Sequence, residues 1–199
     1  MENKPLFTPV ATIELAGTKE KETFRCFTAG FARRDAKFDY WLSKSQPAAG
    51  LCAITVCIPP IGGLSFADSI RWLPGVEQVG DIVVLGRSLI ASGYTMVLPQ
   101  VEAMVKKTRN GEYIGFCVSS HGSNFFLVET GDPEEPVSIG CILCDTRDWC
   151  ADIVRLGRGN CWDANDRLLV RNLDLSKFEG CTVCIGDGPG VMVHRPFLS

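Results

Sequence analysis

Val137-Ser-Ile-Gly-Cys-Ile-Leu143 places Val137, Ile139, Cys141 and Leu143 on one side of an extended chain, the period of two that marks a strand. The residues after it repeat the signal in short lengths. Ala151–Leu156 is followed by the turn Gly157-Arg-Gly-Asn160, and Arg167–Arg171 follows a second turn, Asp163-Ala-Asn-Asp166. Brief apolar runs separated by Gly, Asn and Asp turns predict a sheet of mostly antiparallel neighbours. Working back toward the N-terminus, Phe125–Glu129, Leu51–Ile58 and Thr12–Leu15 fit the same pattern, and Thr182–Ile185 extends it toward the C-terminus. Val79–Leu85, Tyr94–Leu98 and Val101–Val105 are also candidate strands. Asn110-Gly111 suits a type I′ turn, whose two central residues need positive φ, so it is expected to join Val101–Lys107 to Glu112–Val118 as a hairpin.

Helical signals are fewer. Thr18 can cap a helix running to Leu42, with Glu20 and Glu22 at its positive end and Phe24, Phe27, Phe31, Phe38, Trp41 and Leu42 at helical spacing. Such a stripe serves a core better than a cofactor. Ser65-Phe-Ala-Asp68 resembles a capping box and predicts a short helix through Trp72, ended by Pro74-Gly75. Leu173–Phe178 can form one more helical turn, with Gly180 after it. The expected fold is therefore α+β: a mixed, mostly antiparallel sheet with one long N-terminal helix packed on it. Residues 1–17 form an extended arm and residues 18–199 a single domain. Val79-Gly-Asp-Ile-Val83 echoes Ile139-Gly-Cys-Ile-Leu143, which suggests a weak internal repeat of 76–130 and 136–185.

Composition narrows the class of protein. The 199 residues are 46% hydrophobic and 22% charged, ordinary for a globular chain that folds without staples. Net charge is −3, and basic residues come as pairs such as Arg33-Arg34 and Lys106-Lys107, which argues against nucleic acid as the partner. The segment Met1–Pro5 lacks an apolar secretory core, and no apolar run reaches the roughly 18 residues that cross a bilayer. Ten cysteines in such a chain are expected to be thiols, in a soluble protein of the cytoplasm or nucleus.

Four constellations could carry chemistry. Cys141-Ile-Leu-Cys144 and Cys181-Thr-Val-Cys184 could supply four thiolates to a structural zinc, with Cys150, His121 and His194 in reserve. Strand residues inside each pair oppose this, since positions three apart on a strand face opposite ways. Cys117-Val-Ser-Ser-His121-Gly122 places a histidine after an apolar strand, as in a caspase-like Cys-His hydrolase with Cys184 as its thiol, although the segment around Cys184 lacks that family's pattern. Gly186-Asp-Gly-Pro-Gly190 is glycine-rich but has no Lys-Ser/Thr for phosphate. Asp163, Asp166 and Asp174 fit turns and caps better than a calcium loop.

Taken together, Val137–Leu143 and the run from Gly157 through Cys161-Trp-Asp-Ala-Asn-Asp-Arg167 to Phe178-Glu-Gly180 resemble the repeated core of the US-twenty-two family of large DNA viruses, a core shared with SUKH immunity proteins. Trp72-Leu-Pro-Gly75 with Val79-Gly80 is similar to an upstream motif of that core. A second resemblance, on Asn110–Val118 and Ala151–Asn160, is to the coronavirus leader protein, a small β-barrel. Both resemblances imply a viral or immunity-type protein that acts early by binding a host or toxin protein, without catalytic residues or a cofactor. Trp162 and Arg167, taken as exposed hairpin residues, are the binding candidates. The alternatives are a zinc-stabilised regulatory protein using Cys141, Cys144, Cys181 and Cys184, and the Cys-His hydrolase.

Overall fold

The structure, a computed structural model, describes residues 2–5, 7–15, 28–44, 50–59, 65–112, 115–118, 121–144, 149–157, 161–173, 182–185 and 191–194. It is α+β. Strands β1 (Glu2–Pro5), β2 (Thr8–Leu15), β3 (Arg33–Arg34), β4 (Cys52–Ile58), β5 (Asn124–Glu129), β6 (Val137–Cys144), β7 (Trp149–Val154), β8 (Arg167–Arg171), β9 (Thr182–Ile185) and β10 (Val191–His194) are joined by helices α1 (Lys37–Lys44), α2 (Phe66–Arg71), α3 (Ile82–Ala91) and α4 (Leu98–Arg109). Seven strands form one sheet in the order β2-β4-β8-β5-β6-β7-β3, and β1-β9-β10 form another. Among the described residues of the large sheet, β5–β8 and β3–β7 run parallel and the other neighbours antiparallel.

The central strands bury both faces. On β5, Phe125 and Leu127 enter one apolar layer while Phe126 and Val128 enter the other, as a strand's period of two requires. The first layer contains Phe66 and Ile70 of α2 and Leu85 and Leu89 of α3. The second contains Phe38 and Trp41 of α1 and Val101, Met104 and Val105 of α4. Phe126, Ile54, Leu85, Leu89 and Met104 are fully enclosed.

The long N-terminal helix is not formed. Residues 18–27 of that expectation lie outside the described residues. From Thr28 to Gly30 the chain makes a 3-10 turn, and it then enters β3. There the Ala32 N–H donates to the Trp149 carbonyl at 2.8 Å and the Asp35 N–H to the Ala151 carbonyl at 2.9 Å. Backbone groups engaged by β7 are unavailable to a helix, which begins only at Lys37 and keeps Phe38, Trp41 and Leu42 in the core.

Three predicted strands are also corrected. Residues 82–91 are helical because Asp81 caps the N–H groups of Val83 and Val84 at 2.8 and 3.2 Å. Val101–Val105 lies inside α4, whose first turn holds Pro99, a residue that suits this position because it has no N–H to waste. Tyr94–Leu98 contributes a single parallel bridge, Met96 to Val128. Asn110-Gly111 ends α4 rather than turning a hairpin: the Asn110 N–H returns to Lys106, and Gly111 takes φ 89° just beyond the helix. The expected Ser65 cap is present, with the Asp68 N–H donating to Ser65 Oγ at 3.1 Å. The two echoing pentapeptides therefore lie in different elements, one entering α3 and the other within β6.

Candidate functional site

Two of the segments singled out above meet in space. The turn His121-Gly122-Ser123 leads into β5, and the turn Asp163–Asp166 leads into β8, the strand parallel to it. Asp166 ties them together. Its Oδ1 accepts the Ser123 N–H at 3.0 Å and its Oδ2 accepts the Asp163 N–H at 2.8 Å. The Arg167 N–H donates to the Ser123 carbonyl at 2.9 Å, and the Asp166 N–H closes its own turn on the Asp163 carbonyl at 3.1 Å. Burial pushes the Asp166 carboxyl above the ordinary carboxylate range, against the backbone hydrogen bonds that hold it ionised. Gly122 is needed where it stands: a Cβ there would come within 2.6 Å of the Asn165 backbone.

Between these turns lies an open hollow of about 430 Å³, with Phe66, Phe125 and Leu143 beside His121, Cys161, Asp163 and Asp166. Cys161 is brought there by an antiparallel bridge to Ser65, the residue that caps α2. His121 and Cys161 are exposed. No hydrogen bond joins the imidazole to the Cys161 thiol among the described residues.

Trp162 is not an exposed contact. It is 6% exposed, its ring packs 4.1 Å from Phe66 and 5.4 Å from Phe125, and its indole N–H donates to Ser69 Oγ at 2.8 Å. It packs on Phe66 and Phe125, which line the hollow, without lining it itself. Arg167 is half-buried and its guanidinium donates to the carbonyls of Asn165 and Asp166 at 3.1 and 2.8 Å, which stiffens the turn.

The cysteines divide between the two layers. Cys141 packs with the α2–α3 layer and Cys144 with the α1–α4 layer, so this pair cannot grip one ion. Burial raises the Cys141 thiol to about 11, partly offset by a hydrogen bond with Ser123, and burial raises Cys144 further. Cys57 is likewise raised to about 12. Cys181 lies outside the described residues, and of Cys184 only the backbone in β9 is described, paired with Asn3 and Met192. Cys117 is buried in a loop that Asn124 holds, its N–H donating to Asn124 Oδ1 at 2.8 Å and its carbonyl accepting from Asn124 Nδ2 at 2.9 Å. The Gly186–Gly190 segment and Asp174 lie outside the described residues.

Sequence reasoning found His121, Asp163 and Asp166 separately and missed that they meet; Cys161, Ser123 and Gly122 had no function assigned. The sole sequence signal was the turn chemistry of Asp163–Asp166, which says nothing about a partner turn some forty residues earlier. Among the described residues no helix is long and apolar enough to cross a membrane. Comparison with protein-family models, with curated proteins and with solved structures finds no match to this chain.

Proposed function

We propose that this chain is a non-enzymatic protein-interaction module, of the host-antagonist or immunity type that its viral and SUKH resemblances imply, and that it grips its partner at the His121–Asp163 hollow. The observation that carries this reading is how the hollow is built. Asp166 locks both turns and Gly122 packs against Asn165, so the rim is held before any partner arrives. A rigid rim spares the ordering that binding otherwise costs. An aromatic floor flanked by carboxylates suits an amphipathic basic side chain of a partner protein. Supporting a reducing compartment, all seven cysteines with described side chains are free thiols.

The test is affinity capture from host or producing cells with the native chain and with Asp163→Arg and His121→Ala variants. A partner held by the native chain and lost by both variants, at unchanged melting temperature, supports the reading. Recovery of no partner, or equal recovery by all three, defeats it. A Cys-His hydrolase is the second reading, favoured by the presence of His121 and Cys161 in one hollow. It requires Cys161→Ala to abolish the biological effect while the partner is still captured.

A further inference from the structure

Among the described residues, the β7 edge of the large sheet is covered over only part of its length. β3 pairs with Cys150 and Ala151, and the chain then turns away into α1. The carbonyls of Trp149 and Ala151 point outward and are taken by Ala32 and Asp35. By the alternation of a strand, the next peptide groups facing outward are those of Ile153, which have no such partner among the described residues. An uncovered strand edge is a template for another extended chain.

A groove of about 900 Å³ opens at this position, with Ile82, Ile153 and Leu156 among its lining residues. Its charge is unbalanced. Asp35, Asp132, Glu134 and Glu135 face two cations, Lys37 and Arg155. Lys37 is engaged by Glu135 at 3.7 Å. Asp35 and Asp132 each accept one backbone N–H, at 2.8 and 2.9 Å. By contrast the edge strand at the other end of the sheet, β2, carries Pro9 and a bulge between Pro9 and Ala11, devices that discourage strand addition.

We propose that this groove receives an extended basic segment of a partner protein, which prolongs the line of β3 along β7, bonds the Ile153 peptide groups and sets Lys or Arg side chains against the acidic rim. The proposal rests on the binding-module reading but concerns a second surface, remote in sequence from the His121 turn.

The probe is a fluorescent hexapeptide of alternating Lys and Val, blocked at both ends and titrated into the full chain. Controls are the same peptide N-methylated on alternate residues, its Glu-Val counterpart, and spermine. The Lys-Val peptide should bind. N-methylation should weaken it about tenfold through the lost backbone bonds. Glu134→Lys should weaken it about threefold to tenfold, and Arg155→Glu should tighten it by a similar factor. No binding, equal binding of the N-methylated or Glu-Val peptide, or spermine binding as tightly as the peptide would each overturn the proposal. Loss of the peptide with continued partner capture removes the groove alone. Loss of partner capture with the peptide still bound removes the hollow alone.

Discussion

Val79-Gly-Asp-Ile-Val83 and Ile139-Gly-Cys-Ile-Leu143 are nearly interchangeable as strings of apolar and small residues, yet the first opens a helix and the second lies within a central strand. The difference lies in their surroundings. In the first, Asp81 stands where Cys141 stands in the second, and its carboxylate satisfies two N–H groups that a helix start leaves open. Further along the same helix, Gly86 lets α3 lie on the sheet, because a Cβ there would come 2.8 Å from Pro136 Cγ. In the second, β5 and β7 flank β6 on both sides and take its backbone groups. Apolar periodicity over five residues does not choose between the two outcomes; caps and neighbours do.

The contrast can be broken in order of decreasing effect. Leu89→Ala in α3 and Ile139→Ala in β6 each remove a fully buried side chain from the same layer, and each should lower unfolding free energy by about 2–5 kcal/mol in urea titration. Because both sit in one layer, the double variant should lose less than the sum of the two; strict additivity would mean the helix and strand do not share a core. Gly86→Val should lower stability by about 1–3 kcal/mol by pushing α3 off Pro136 and Val137. Asp81→Ala should lower it by about 1 kcal/mol, with loss of helical circular dichroism; no change would show that tertiary contacts alone hold α3.

The smallest effect concerns pH. Asp166 has its carboxyl raised in the fold, first by burial, so the folded state holds this proton more tightly than the unfolded chain. Its contribution is full below the ordinary carboxylate value of 3.8 and is lost as pH rises through the raised value. Asp166→Asn should flatten that part of the melting profile, from the ordinary carboxylate value of 3.8 upward. An unchanged slope would show that Asp166 is not the group responsible.

Much of the sheet was legible. Phe125–Glu129, Val137–Leu143 and Arg167–Arg171 were bounded by their turns and strand periodicity. The helices failed for definable reasons. Asn110-Gly111 was recognised as a place needing positive φ, but a helix end and a hairpin both want that conformation, and the sequence does not say which. Pro99 marked a helix start, yet it stood between two segments read as strands, Tyr94–Leu98 and Val101–Val105. The stripe from Phe24 to Leu42 was too long to be questioned by pattern; among the described residues the 3-10 turn at Thr28–Gly30 and the pairing of Arg33-Arg34 with β7 interrupt it. The hollow was illegible because Asp166 Oδ1 and the Ser123 N–H are distant in sequence, a relation no local motif encodes.

The strand order has a consequence in time. β8 is inserted between β4 and β5, so residues 167–171 supply the bond between a sheet fragment of β2 and β4 and another of β5, β6 and β7. During synthesis from the N-terminus, both fragments must wait with unpaired edges, β4 and β5, until that late pentapeptide arrives. Such dependence on distant contacts makes for slow closure, and a nascent chain stalled before residue 167 would present two sticky strands to its neighbours.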